Sequence, residues 1–195
     1  MKRKQKLLII YIITMVAIPL ITYYYPNLYL SGKTLYKLGV NEYNSGEYGD
    51  YEDVDKMKRA AFYFEKAIGK GYHEKPIYSY LTICYWRIKQ KADAERVYTL
   101  AIVQYPKESE FYFRRGQCRT DLEDYQGAYN DYDSVIKIDP NYPDIKDAYF
   151  SRGAMSYKLG DTVNANLDWL KVKKLAGFGW RTYDDYWNMM DGRED

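Results

Sequence analysis

The sequence predicts an all-α protein: a single amino-terminal transmembrane helix, an α-solenoid of about four helix-turn-helix repeats, and a C-terminal capping helix. Three observations carry this. Leu7 to Tyr25 form an uncharged apolar run behind a basic tip. Similar residues recur 34 positions apart through the middle of the chain. Within each recurrence, small and aromatic residues stand at i, i+4 and i+7, which gathers them on one helical face.

The amino-terminal element, residues 1–26, opens with "MKRKQK". Nineteen residues at ~1.5 Å each give roughly 28 Å of helix, close to the hydrocarbon thickness of a bilayer. A cleaved signal peptide would end in small residues, whereas this run exits through "TYYYPNLYLSG", so an uncleaved anchor is expected. Tyr23, Tyr24 and Tyr25 suit the membrane interface and Pro26 suits the helix end, while Pro19 is tolerable within a span. Lys2, Arg3, Lys4 and Lys6 precede the run and no basic residue follows until Lys33. That asymmetry predicts a cytoplasmic amino terminus and an extracytoplasmic remainder, periplasmic in a bacterium.

The repeats follow. Cys84 and Cys118 are one period apart, as are Ala94 and Ala128, Tyr98 and Tyr132, Ala101 and Val135, and Pro106 and Pro140. Tyr78 pairs with Tyr112, and Ala60, Phe64 and Ala67 precede Ala94, Tyr98 and Ala101 by the same interval. Ala128, Tyr132 and Val135 form one buried helical face, the small residue allowing close approach of the preceding helix, and Pro140 ends the unit. In the last unit Gly153, Gly160, Ala165, Trp169 and Val172 repeat the pattern with a phase shift of three, assigned to an extra turn at "NYPDIKD".

This pattern resembles the tetratricopeptide repeat, a helix-turn-helix unit of the same period. The resemblance implies an array over 27–177 with repeats at about 33–72, 75–108, 109–142 and 146–177. In the first repeat a longer acidic insert, "GEYGDYEDVDK", precedes Ala60, Tyr63, Phe64, Ala67 and Gly71, and this is similar to the Sel-one-like variant. It also implies that Cys84 and Cys118 lie inward on successive first helices. Packed helices are ~8–10 Å apart and a disulfide needs Cα atoms within ~7 Å, so two free thiols are expected.

Residues 178–195 hold Tyr183, Trp187 and Met190 at i, i+4 and i+7, which suits a terminal cap. A tail lying in its own groove or a neighbour's is the alternative.

Catalytic chemistry finds little support. His73 is the single histidine, too few for a zinc site or a His-dependent triad, and it reads as a solvated helix-end residue. "SGKT" at 31–34 resembles the end of a phosphate loop, but Asn27 stands where that loop needs glycine. A calcium loop starting at Asp131 would place Ile136 at its glycine and Tyr142 at its glutamate. Apart from Asp124, read as a helix-start residue, the acids of "DYQGAYNDYDSVIKIDPNYP" therefore read as solvation, with Asp131 and Asp133 on the outer sides of a helix. No enzyme activity, cofactor or metal is expected. The formal net charge is +2, and beyond the tip no basic cluster appears, so no nucleic-acid partner is expected.

The resemblance implies a concave groove lined by first helices. Its candidate partner-binding residues are Tyr36, Tyr43, Tyr80, Trp86, Arg87, Phe113, Arg114, Gln117, Phe150 and Tyr157. Some members clamp a terminal carboxylate with lysine and asparagine; Tyr36, Val40, Phe113 and Gln117 stand at those places, so that activity does not carry over. The expected function is a membrane-anchored scaffold binding a protein or peptide, homo-oligomers included, with Trp86, Phe113 and Arg114 as anchors. Two other readings are a glycan or cell-wall binding module and an immunity-type protein sequestering a toxin near the membrane.

Overall fold

The computed structural model describes residues 29–45, 54–176 and Tyr183. The predicted span, most of the acidic insert and the rest of the 178–195 tail lie outside these residues. Among the described residues every regular element is α-helical, and no helix is long and apolar enough to cross a membrane. The chain divides into two compact units, the first ending at Cys84 and the second beginning at Tyr85.

In the first unit, α1 (Gly32–Asn44) and α2 (Val54–Gly69) pair, and α3 (Lys75–Arg87) begins. Ser31 caps α1 by accepting a hydrogen bond from the Thr34 amide at 3.1 Å, satisfying one of the amides a helix start leaves open. Buried Met57, Ala60, Ala61, Phe64 and Ala67 form the inner face of α2. The pairing is tight because Gly39 lacks a side chain: a Cβ there would lie 2.6 Å from the Phe64 ring. His73 is half-buried, its Nδ1 2.9 Å from the Tyr78 hydroxyl, so the expected solvated histidine is instead a packed one.

The second unit contains α4 (Lys91–Gln104), α5 (Ser109–Asp121), α6 (Tyr125–Ile138), α7 (Ile145–Lys158) and α8 (Thr162–Ala176). Asp124 caps α6 through the Gly127 amide at 3.0 Å. Ala128, Tyr132 and Val135 are buried with Phe113, Tyr142, Ala154, Met155 and Ala165 in one cluster. Gly116 repeats the close approach of Gly39: its Cβ would meet the Tyr132 ring at 2.9 Å. The phase shift falls in the 139–144 connection, where Tyr142 turns inward and is buried. Cys84 and Cys118 are buried free thiols.

The turns inside the hairpins recur as regularly as the helices. Lys89, Glu123 and Gly160 all have positive φ, at 60°, 62° and 82°. After each, an amide closes the helix end: Gln90 to the Tyr85 carbonyl at 2.8 Å, Asp124 to Arg119 at 2.9 Å and Asp161 to Ser156 at 2.9 Å. This six-to-one bond with a left-handed residue before it is a common helix stop, and only glycine adopts that conformation without a Cβ penalty. Lys89 and Glu123 pay roughly 1–2 kcal/mol that Gly160 does not, partly offset by the entropy lost in fixing a glycine. Lys89→Gly and Glu123→Gly are each expected to stabilise by about 0.5–1 kcal/mol, read as a raised urea midpoint.

Candidate functional site

The predicted groove residues resolve into separate local settings. In the first unit Tyr36, Tyr43 and Tyr80 are all half-buried and come together: the Tyr43 and Tyr80 ring centroids are 5.0 Å apart, edge to face, and Tyr36 lies 6.3 Å from Tyr80. Two further rings, Tyr72 and Phe64, belong to the same patch. Tyr72 stacks on Tyr36 at 4.8 Å and Phe64 stacks on Tyr80 at 5.7 Å. Phe64 is fully buried, so it is the floor, while the four tyrosines keep partial access to solvent. Burial first, then neighbouring Tyr80 and Tyr72, pushes the Tyr36 phenol above its ordinary pKa. The patch offers rings that are apolar on their faces and able to hydrogen-bond at their tips.

In the second unit the anchors fare differently. Trp86 is half-buried with the Lys91 ammonium 5.9 Å above its ring, and Arg87 is exposed. Phe113 is a correction: it is 5% exposed, packed against Tyr132 at 5.7 Å and Tyr142 at 5.5 Å. The inward turn at Tyr142 covers it, so its ring is core and offers no anchor. Arg114 is exposed but engaged, donating from Nε to Glu110 at 2.6 Å and from Nη1 to Gln117 at 3.2 Å. Glu110 also accepts from the Tyr142 hydroxyl. Phe150 and Tyr157 are half-buried beneath Tyr183 of the C-terminal segment.

The aspartates expected to solvate α6 are the second correction. Asp131 is 2% exposed and accepts two bonds from Arg115, Nη2 at 2.7 Å and Nε at 3.0 Å, plus Arg119 Nη1 at 3.1 Å. Arg115 also donates to Thr99 at 3.2 Å, and Arg119 reaches Glu95. One repeat on, Arg152 grips Asp168 through Nη2 at 2.6 Å and Nε at 2.8 Å and donates from Nη1 to Asp133 at 2.7 Å. Thr99 and Asp133 occupy the same repeat position, as do Asp131 and Asp168. Each arginine also lies over a tyrosine ring, Arg115 over Tyr112 and Arg152 over Tyr149. The constellation is an inter-repeat staple: a bidentate clamp within one hairpin and a third bond to the hairpin before it. Burial pushes Asp131 above the ordinary carboxylate value, against the lowering effect of Arg115 and Arg119. The bonds to Asp168 hold the Arg152 guanidinium above its own ordinary value.

Among the described residues no group of three or more His, Cys, Asp or Glu side chains could hold a metal ion. Of the first-helix candidates, Tyr36, Tyr43, Tyr80 and Trp86 keep partial access to solvent, and Arg87 and Arg114 are exposed.

Burial pushes the Cys118 thiol and the Tyr132 phenol each up to about 12, from ordinary values of 9.0 and 10.0. Their folded values exceed their unfolded ones, so the stability linked to them is fully present below about pH 9 and is lost as the pH rises through 12. In alkaline titration, the phenolate absorbance that Tyr132→Phe removes should appear together with the loss of helical circular dichroism at the top of that window; Tyr132 ionising in a still-folded chain near 10 would contradict it.

No protein-family model matches the chain, and no curated protein matches its sequence. Solved structures do match its fold. One is the first TPR of Spaghetti (RPAP3) bound to an HSP90 peptide, SRMEEVD, with 22% identity, a TM-score of 0.51, and coverage of 67% of this chain and 94% of that one. Another is MamA, from residue 41 onward, of Desulfovibrio magneticus RS-1, with 20% identity, a TM-score of 0.57, and coverage of 75% and 76%. A third is YrrB, described as a TPR protein with an unusual peptide-binding site, with 20% identity, a TM-score of 0.52, and coverage of 62% and 60%. The chain has an all-α, TPR-like helical-repeat fold.

Proposed function

We propose that this chain is a membrane-anchored, non-catalytic adaptor whose first-helix faces bind a protein or peptide partner. The observation that carries the proposal is the patch of Tyr36, Tyr43 and Tyr80, three half-buried rings on successive first helices over a buried Phe64 floor. Aromatic rings of this kind supply much of the energy of protein interfaces. Support comes from the fold as well, since two of the matching structures are described by the peptides or peptide sites they carry. The array is taken to run over 27–177, with a first repeat of Sel-one-like form on account of its long insert.

The anchor in this reading is Leu7 to Tyr25, with the repeats on the extracytoplasmic side. Alkaline carbonate extraction of native membranes should leave the full chain in the pellet; its release to the supernatant would remove the anchor from the proposal. For the partner, photo-crosslinking from native membranes should recover a protein with the wild type and lose it with Tyr43→Ala and Tyr80→Ala. The same partner recovered undiminished from both variants would overturn the groove assignment.

A further inference from the structure

Three hairpins place a glycine on the first helix opposite an aromatic on the second, and the third does so differently. Gly39 faces the Phe64 ring and Gly116 faces the Tyr132 ring. By the repeat, Gly153 should face Trp169. Instead the atoms nearest a Cβ built at Gly153 belong to Tyr183, at its hydroxyl and Cζ, and to Asp168. Trp169 stands edge-on to Tyr183, with ring centroids 5.6 Å apart.

Tyr183, which follows α8 in the chain, is thus an inserted side chain and 4% exposed. Phe150 at 5.4 Å, Tyr157 at 6.1 Å and Trp169 wall it in. Its hydroxyl donates to the Phe150 carbonyl at 3.3 Å. Burial first, then the charge of Asp168, holds the phenol above its ordinary pKa, so the seat takes the neutral form. Gly153 gives the depth, three rings give the walls, and one carbonyl reads the hydroxyl. These are the features of a small ligand pocket: walls mostly apolar, with a few placed polar groups, the Phe150 carbonyl and the Asp168 carboxylate among them.

We infer that the Gly153 notch of α7 is a binding pocket for a tyrosine side chain carried on a peptide, and that Tyr183 occupies it in cis. Phe150 and Tyr157, both candidates for partner contact, form its walls, so a partner using this end of the array competes with the protein's own C-terminal segment. The inference deepens the protein-binding reading and rests on it for the existence of an outside partner. The pocket itself rests on α7, α8 and Tyr183 alone.

The test uses the full chain and a blocked peptide with the sequence of residues 182–187, TYDDYW. A tethered occupant lowers apparent affinity in proportion to the fraction of open pocket, so the Tyr183→Ala chain should bind the peptide about tenfold or more tighter than the wild type. A peptide with alanine in place of its first tyrosine should lose binding, whereas one altered at the second tyrosine should keep it. Equal affinity for wild type and variant, or binding indifferent to the first tyrosine, would overturn the pocket. Should Tyr183→Ala loosen the fold, the peptide added in trans should raise that variant's melting temperature and leave the wild type unmoved; no rise would equally overturn it. Crosslinking from the Tyr43 and Tyr80 patch is unaffected by any of these outcomes, so the two proposals fail separately.

Discussion

Asp131→Ala is expected to destabilise the protein by about 3–5 kcal/mol, because removing one member of a buried ion pair strands the other. Arg115 and Arg119 have side chains only 14% and 22% exposed, and without Asp131 Arg115 keeps Thr99 as its remaining hydrogen-bond acceptor, a neutral one. Arg119 keeps Glu95 and Asp124, so most of the cost falls on Arg115. One repeat earlier, the positions of Arg115 and Asp131 are held by Leu81 and Val97, both fully buried. Arg115→Leu combined with Asp131→Val should cost much less than Asp131→Ala alone, since apolar replacement of a buried pair is often near neutral. Urea denaturation followed by circular dichroism decides it: a loss under about 1 kcal/mol for Asp131→Ala would mean the pair is effectively a surface bridge.

Phe64→Ala is expected to cost about 3–5 kcal/mol in the first unit, the sum of lost transfer energy and the cavity left behind. Phe64 is fully buried, meets Gly39 on one side and stacks on Tyr80 on the other. Its loss should therefore also disorder the tyrosine patch and abolish partner crosslinking, linking stability to function at one residue. Gly39→Ala alone should destabilise through overpacking against the same ring. In the double variant the new methyl enters the vacated space, so the two losses should fall short of their sum, as contacting sites commonly do. Strict additivity would show that the Gly39 and Phe64 contact carries no energy.

The fold was legible because a period of 34 with small and aromatic residues on one helical face leaves few alternatives. Asp124 as a cap was readable from local chemistry, and Gly153 and Gly160 as parts of the repeat pattern. The acids were misread for a reason that is itself physical. Asp131 and Asp133 have ordinary solvating neighbours along the chain, and the arginines that bury them come from other helices, 16 and 19 residues away. A signal did exist: Arg115 and Arg152 stand 16 residues before Asp131 and Asp168, with Tyr112 and Tyr149 three residues further back. That recurrence of ring, arginine and aspartate is the sequence signature of the staple.

Among the candidate contact residues, the proximity of Tyr36, Tyr43 and Tyr80 follows from first-helix register, while the stacking of Tyr72 and the burial of Phe113 do not. Phe113 is covered by Tyr142, whose inward direction depends on a connection of irregular length, and irregular backbone has no period to read.

The sequence by itself determined the helices, their pairing and their stops, because periodicity, capping and glycine placement act within a few residues of one another. Only the tertiary structure decided which aromatic rings are floor and which are surface, which acids are buried, and that Tyr183 fills the seat at Gly153. Those outcomes depend on side chains from different helices competing for the same space, and that competition is settled by packing at short range between residues distant in the chain.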